Sequence, residues 1–179
     1  LLGPTAHTEP LIGPMLTAIE HRGPDDFGIW AGDTCAIGMR RLSIIDIAGG
    51  HQPMWSADRR FAIVYNGELY NYRELREELS SAGHVFATDS DTEVLLQFLV
   101  TAGFANMDAA LNRLRGMFGF AIVDTATNSA IIARDQFGIK PLYYRITETS
   151  GSTKLDSFAS EIKSLLVDPA VERRVHVPA

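Results

Sequence analysis

Cysteine is scarce in this chain, and long hydrophobic runs and an excess of positive charge are missing from it. Cys35 is its only cysteine, which excludes an internal disulfide framework and a cysteine-rich zinc site. The longest apolar runs, such as residues 118–123, are far too short to span a bilayer. Sixteen Lys and Arg stand against 22 Asp and Glu, and the net charge of −6 is poorly suited to gripping nucleic acid. We therefore expect neither a membrane nor nucleic acid as a partner.

The remaining composition is that of an ordinary globular protein. The chain has 179 residues and a mass of 19.6 kDa, with 46% hydrophobic and 21% charged residues. This is enough for one well-buried domain and too little for two ordinary ones. No internal repeat and no basic-then-apolar leader is visible in the sequence, so we expect a single cytoplasmic domain.

The spacing of apolar residues divides the chain into short strands and a few helices. Strands are predicted over residues 27–31, 34–39, 42–45, 61–65, 117–124, 130–134, 142–147 and 155–159. Helices are predicted over residues 11–20, 72–82, 92–102, 109–114 and 161–166. Connections between strands are short, which favours antiparallel pairs. We therefore expect an α+β fold in which helices cover antiparallel sheets.

Proline and capping residues set the predicted ends of the first two helices. Pro10 and Pro14 fit the first helix only if they lie near its first turn. Asn71 is expected to cap the second helix, with Glu74 completing a capping box three residues later. These signals place one helix on either side of the strand-rich segment that ends near Tyr65.

Asn66 and Gly67, at the end of an apolar strand, have two interpretations. Asn-Gly is a tight-turn signal, because both residues tolerate positive φ. In the functional interpretation, the Asn66 side chain and a neighbouring backbone N–H stabilise an oxyanion. Gly67 would then let a substrate approach the main chain closely. The dipeptide by itself favours the turn.

Arg41 and Asp91 are the candidates for binding a charged ligand. Arg40-Arg41 opens the predicted strand 42–45, where a surface arginine is commonplace; a guanidinium could instead clamp a carboxylate at two points. Asp91 or Ser90 caps the third helix, and Asp91 could alternatively bind an ammonium group. Together Arg41 and Asp91 would suit the zwitterionic end of an amino acid, although their spacing in sequence does not show that they meet.

Two charged loops and the single thiol complete the candidates. Residues 21–25 and 134–141 are either structural loops pinned by internal Arg–Asp pairs or direct parts of a site. Cys35 lies in an apolar strand, where a thiol usually behaves as a small buried hydrophobe and not as a nucleophile. No ligand-like spacing, and hence no metal site, is indicated by His7, His51, His84 and His176.

Six short motifs stand in order along the chain. They are HRGPD at 21–25, RLSIID at 41–46, HQPM at 51–54, NGELYN at 66–71, SDTE at 90–93 and RDQFGIKPLYY at 134–144. Together they resemble the glutaminase domain of class II glutamine amidotransferases, of the glutamine-hydrolysing asparagine synthetase type, over residues 11–168. The resemblance implies an N-terminal-nucleophile hydrolase fold, which is a four-layer αββα sandwich of two antiparallel sheets.

The resemblance also implies an activity and a set of site residues. L-Glutamine would be hydrolysed at its side-chain amide to glutamate and ammonia, with no metal or cofactor in this domain. Arg41 would bind the substrate carboxylate, Asp91 its α-amino group, and Asn66 and Gly67 would form the oxyanion hole. Further substrate contacts would come from Leu42, Ser43, Ile44, Ile45 and Glu68.

The family's nucleophile is a cysteine at the N-terminus of the mature protein, and this sequence departs from that pattern. The chain begins Leu1-Leu2-Gly3-Pro4, where the family has a short preceding strand that starts at the cysteine. Residues 1–168 are thus expected to be a glutaminase domain without its first strand, inactive as written. Residues 169–179 would begin a linker to an absent synthetase domain, which would require ATP and Mg²⁺ to form an amide. The resemblance also allows a homodimer.

Two alternatives stay open on the sequence alone. The domain could be a non-catalytic glutamine-binding or interaction module that keeps the fold, as the missing cysteine suggests. The ammonia could also go to an acceptor other than aspartate. The encoded start of the gene would separate the first alternative from an enzyme.

Overall fold

The structure is a computed structural model that describes residues 5–42, 50–149 and 152–174. The side chains of residues 5–7, 149, 152 and 153 are not part of this description. The predicted site residues Ser43, Ile44 and Ile45 therefore lie outside the described residues, as does most of the strand predicted over 42–45.

Within the described residues the chain forms five α-helices, two short 3₁₀ helices and eight strands. The helices are α1 (Thr5–Ala18), α2 (Tyr72–Ser81), α3 (Asp91–Ala102), α4 (Met107–Leu111) and α5 (Ile162–Leu165). The strands are β1 (Asp26–Ala31), β2 (Ala36–Arg41), β3 (Met54–Trp55), β4 (Phe61–Leu69), β5 (Gly116–Asp124), β6 (Ser129–Arg134), β7 (Tyr143–Thr149) and β8 (Ser152–Ala159).

All strand pairs are antiparallel, as the short connections predict. A four-stranded sheet has the order β3-β4-β5-β6, and two hairpins are formed by β1-β2 and β7-β8. At the centre of the large sheet, β4 and β5 pair over nine residues each, from Phe61 opposite Asp124 to Leu69 opposite Gly116.

The period-2 alternation of side chains gives the central sheet two buried faces. On one face, Ile63 and Tyr65 of β4 join a core with the inward side chains of α2 and α3. On the other face, Ala62 and Val64 pack with side chains of the β1-β2 hairpin and with Phe158 of β8.

Helices α1 and α5 complete the layering on the far side of the two hairpins. Ile12 and Met15 of α1 and Leu165 of α5 share a buried cluster with Ala36 of β2 and Ala159 of β8. The order of layers is therefore helix, sheet, sheet, helix, which confirms the predicted four-layer sandwich.

Helix α1 contradicts the prediction that both prolines lie near a first turn. It begins at Thr5, so Pro10 and Pro14 are its sixth and tenth residues. Each proline removes a hydrogen bond from the helix interior. The apolar face of α1, including Ile12 and Leu16, is buried, and this tertiary packing outweighs the local cost.

The capping box predicted at Asn71 is also wrong, although α2 does begin after that residue. The Asn71 side chain does not cap the helix. Its Nδ2 donates to the Arg113 carbonyl at 3.0 Å and its Oδ1 accepts from Arg115 N–H at 3.0 Å, so it ties the start of α2 to the segment before β5. At α3, the Ser90 hydroxyl accepts the capping bond from Thr92 N–H at 3.2 Å.

Strand β2 ends at the arginine pair that was predicted to open the next strand. Arg41 is the last residue of β2 and lies opposite Asp26 of β1. Asp25 N–H still donates to the Arg41 carbonyl at 3.2 Å, but the preceding Pro24 has no N–H with which to continue the ladder. Leu42 follows the strand and is exposed.

In the described part of the chain, no single helix is long and apolar enough to cross a membrane. One sharply bent pair, α3 with the segment Phe104–Leu111, meets the criterion on length and composition alone. The inward side chains of α3 pack against the central sheet.

Candidate active site

A cavity of about 510 Å³ lies between the two β layers. Its walls come from α1, β2, β4, β5, β8 and the start of α3. It is lined by every predicted site residue that the structure describes, namely Arg41, Leu42, Asn66, Gly67, Glu68 and Asp91. Residues from distant parts of the sequence thus meet in one cavity, which spacing in sequence could not show.

Arg41 reaches the cavity from the end of β2, in a position fixed on several sides. Gly23 packs directly against the backbone of Arg40 and Arg41, where a Cβ atom would overlap the Arg40 carbonyl carbon. Gly50 leaves room for the Arg41 guanidinium, because a Cβ there would overlap its Nη2 atom. Two glycines that sequence reasoning did not single out therefore shape the surroundings of this arginine.

Asn66 and Gly67 lie inside β4 and form no turn. They are paired with Gly119 and Phe118 of β5, so the turn interpretation is wrong. The Asn66 carboxamide makes no hydrogen bond to any residue that the structure describes, and it lines the cavity as an available donor and acceptor.

Gly67 is required by the neighbouring strand. A Cβ atom at this position would overlap the Met117 carbonyl oxygen and lie 2.7 Å from Phe118 Cα, whereas real Cβ atoms keep larger distances. The sequence analysis explained this glycine by a substrate that approaches the main chain closely. In the structure, the segment that approaches it closely is β5.

Asp91 opens α3 and is held by two donors on one oxygen. Its Oδ2 accepts hydrogen bonds from the Tyr65 hydroxyl and from Leu69 N–H, each at 3.0 Å. Burial and the charge of Asp91 raise the pKa of the Tyr65 hydroxyl, so the phenol stays protonated and donates. The strand that carries Asn66 and Gly67 therefore also fixes the candidate ammonium-binding carboxylate.

Gln52 supports the site structurally, and the sequence analysis did not identify this role. Its buried carboxamide donates from Nε2 to the Tyr65 carbonyl at 3.0 Å and accepts from Tyr65 N–H at 2.6 Å. It thereby makes the two bonds that a neighbouring strand would make, just before Pro53, which cannot donate to a ladder. The sequence signal that could have indicated this role is a glutamine directly before a proline, next to a short strand.

The loop at 21–25 is held by a carboxylate that lies outside it in the sequence. Glu161 Oε1 accepts from His21 Nε2 at 2.9 Å and from Arg22 Nη1 at 3.3 Å, and Lys163 Nζ lies 3.1 Å from Oε2. Burial opposes ionisation of Glu161, but these three partners lower its pKa to about 2. The loop is thus attached to the segment after β8, and Arg22 also lines the cavity.

The loop at 134–141 is organised around one carboxylate. Asp135 is 3% exposed and accepts hydrogen bonds from the backbone N–H groups of Phe118, Phe137, Ile139 and Lys140, at 2.9 to 3.2 Å. Burial raises the pKa of Asp135, but the four N–H donors outweigh it and the pKa is lowered. Asp135 therefore has a structural role in this loop, whereas Lys140 lines the cavity.

Cys35 is placed as expected of a buried hydrophobe. It is 3% exposed and packs in the core between the sheets, where burial raises the pKa of its thiol. It does not line the cavity. Among the described residues, no group of three or more His, Cys, Asp or Glu side chains is placed to hold a metal ion.

The cavity is lined by charges of both signs, as a zwitterionic ligand requires. Arg41 is among the cations that line the cavity, Glu68 and Asp91 are among its anions, and Val64 and Phe120 add apolar surface. An arginine fork recognises carboxylates well, and the Asn66 carboxamide at the same cavity can donate to an amide oxygen.

A helix–sheet–sheet–helix sandwich with such a cavity between its sheets has the architecture of an N-terminal-nucleophile hydrolase. The family model of the glutamine amidotransferase domain matches residues 1–179, and the chain belongs to this family. The resemblance drawn from the six motifs is thereby confirmed.

The curated relatives point to one branch of that family. The chain is 48% identical over 166 residues to asparagine synthetase [glutamine-hydrolyzing] 1 of Bacillus subtilis, covering 93% of this chain and 25% of the relative. It is 48% identical over 159 residues to a putative asparagine synthetase [glutamine-hydrolyzing] of Mycobacterium tuberculosis, covering 83% and 23%. The chain thus spans about a quarter of the length of these relatives.

Solved structures support the fold. A glutamine phosphoribosylpyrophosphate amidotransferase from B. subtilis, complexed with ADP and GMP, aligns with a TM-score of 0.64 at 25% identity, over 86% of this chain and 39% of that one. The allosteric regulatory enzyme of purine biosynthesis aligns with a TM-score of 0.73 at 24% identity, over 93% and 42%. The second likeness concerns the fold alone.

Proposed function

We propose that this chain is the glutaminase domain of a glutamine-hydrolysing asparagine synthetase. It would convert L-glutamine to glutamate and ammonia, and another part of the protein would use the ammonia in ATP- and Mg²⁺-dependent amide formation on aspartate. The observation that carries the proposal is the meeting of Arg41, Asn66, Gly67 and Asp91 in one cavity.

Each end of glutamine has a matching partner in this proposal. Arg41 binds the α-carboxylate through two parallel hydrogen bonds, beside Leu42. Asp91 binds the α-ammonium group, and Glu68 adds a further substrate contact. The side-chain amide then extends along β4, and its oxygen becomes the oxyanion held by Asn66 and Gly67 N–H.

The proposed nucleophile is an N-terminal cysteine on a strand that precedes Leu1. This strand would pack beside β2 and β8, since both line the cavity. The thiolate attacks the amide carbon, and the cysteine's own α-amine, with an ordinary pKa of about 7.7–8.0, carries the proton to the departing ammonia. Water then hydrolyses the thioester and releases glutamate. Cys35 does not suit this role, since it is buried in the core and has no α-amine of its own.

The test of this proposal uses the full-length protein, with its first residue identified by intact mass. We expect an N-terminal cysteine, release of glutamate and ammonia from glutamine, and formation of asparagine from aspartate and ATP. Replacing that cysteine by alanine should abolish glutamine hydrolysis and leave synthesis from added ammonia. A full-length protein that starts without a cysteine and binds glutamine without hydrolysing it would favour the non-catalytic module, and amide formation on another acid would change the acceptor.

Arg41→Ala should raise the KM for glutamine by about 100-fold, because two charge-assisted hydrogen bonds to the substrate carboxylate are lost. The effect on kcat should be much smaller, since the carboxylate lies away from the reacting amide. Steady-state kinetics of the full-length protein measure both constants. The matched control is the exposed Arg73→Ala, which should leave KM unchanged. A wild-type KM in Arg41→Ala would rule out the carboxylate clamp.

A further inference from the structure

Tyr65 lines the candidate site and is almost entirely removed from solvent. It is 3% exposed, and its ring belongs to the core that α2 and α3 form with the central sheet. Packing of the ring would be equally well served by phenylalanine. The hydroxyl is therefore the feature that needs a further explanation, and it donates to Asp91 Oδ2 at 3.0 Å.

The hydrogen bonds on Asp91 are arranged asymmetrically. In the described part of the chain, the bonds that reach this carboxylate come from the Tyr65 hydroxyl and Leu69 N–H, and both end on Oδ2. Two donors on one oxygen define the rotation of the carboxylate group, and neither of them occupies Oδ1. With Leu69 N–H alone, the group could rotate about that single bond.

Tyr65 is itself held rigidly at its backbone. Gln52 pairs with both its N–H and its carbonyl oxygen, and β5 pairs with its strand on the other side. A hydroxyl on such a fixed frame can hold a partner in one orientation, which a surface side chain could not do.

We propose that Tyr65 is a positioning residue whose hydroxyl orients the Asp91 carboxylate toward the α-ammonium group of glutamine. The inference rests on the proposed function, because it requires glutamine in this cavity. In this inference, Tyr65 makes the site prefer glutamine to the same amide that lacks the α-amino group. Tyr65 acts only through Asp91 and takes no part in the chemical step.

The test compares two substrates on the full-length protein and its Tyr65→Phe variant. One is glutamine, and the other is 4-carbamoylbutanoate, which is glutamine without the α-amino group. Tyr65→Phe should lower kcat/KM for glutamine about tenfold, mainly through KM, because one hydrogen bond to a charged group is lost. It should leave kcat/KM for 4-carbamoylbutanoate unchanged. Since both rates come from one preparation, their ratio does not depend on how much of the variant is folded.

Two further variants sharpen the result. Asp91→Ala should remove most of the preference for glutamine, and adding Tyr65→Phe to it should have no additional effect, since the two residues act in series. Tyr70→Phe, which removes a hydroxyl from an exposed tyrosine outside the cavity, should behave as wild type.

The possible outcomes separate this inference from the function on which it rests. An equal loss on both substrates, or no loss on glutamine, would overturn the positioning role even if Asp91→Ala removes the preference. A full-length wild-type protein that does not hydrolyse glutamine would overturn the proposed function and this inference with it.

Discussion

Asn66→Ala is expected to lower kcat for glutamine hydrolysis by about 10²–10³-fold, the usual cost of removing one oxyanion donor. The Asn66 carboxamide lines the cavity and makes no hydrogen bond within the described ranges, so its loss leaves no partner unsatisfied among those residues. Stability should therefore change little, and KM should stay near its wild-type value because the donor acts mainly on the transition state.

Steady-state glutaminase kinetics and thermal unfolding of the full-length protein check this expectation together. Asn112→Ala is the matched control, since Asn112 is exposed at the end of α4 and does not line the cavity. Unchanged turnover in Asn66→Ala would contradict the oxyanion assignment. A large fall in the unfolding temperature would instead mean that Asn66 serves the sheet.

Asp135→Asn should lower the free energy of unfolding by about 3 kcal/mol, because an amide NH₂ would replace one of two oxygens that accept backbone N–H groups. Each Asp135 oxygen accepts two such bonds, so two backbone donors would face another donor. Denaturant unfolding at neutral pH measures the loss. The exposed Asp33→Asn is the control, with an expected effect within about 0.5 kcal/mol.

The pH dependence gives a second check on Asp135. Its pKa is lowered in the folded protein, so the carboxylate stabilises the fold fully above its unfolded-state pKa, and this contribution is lost as the pH falls through the folded value. The difference in unfolding free energy between wild type and Asp135→Asn should be constant from about pH 7 to 5 and shrink in more acidic solution. A difference that stays the same in acid would mean that the charge of Asp135 does not contribute.

Much of the fold follows from local sequence signals. The antiparallel pairing follows from short connections, and the inward residues of α3 follow from helical spacing, as in Val94, Leu95 and Leu99, which are all buried. The local signals fail where tertiary contacts outweigh them. Two prolines lie inside α1 because its apolar face is buried, and Asn71 bonds to the segment before β5 in place of its own helix.

The sequence predicted which residues form the site, but it could not predict how they are arranged in space. Arg41 and Asp91 are 50 positions apart in the sequence, and only the stacking of the two β layers brings both to one cavity. Asn66-Gly67 carries a turn signal that β5 overrides by pairing with it. The roles of Gln52 and Tyr65 depend on distances between elements, which composition and spacing do not contain.

The close contact between Gly67 and β5 limits how the specificity of this domain can be redesigned. Because the neighbouring strand occupies the space of a side chain at position 67, no larger residue can be used there to reshape the substrate cavity without displacing the sheet. Glu68 is exposed on the same strand and Leu42 is exposed after β2. Variation at these two positions, which line the cavity, would change its shape while the backbone at Gly67 stays in place.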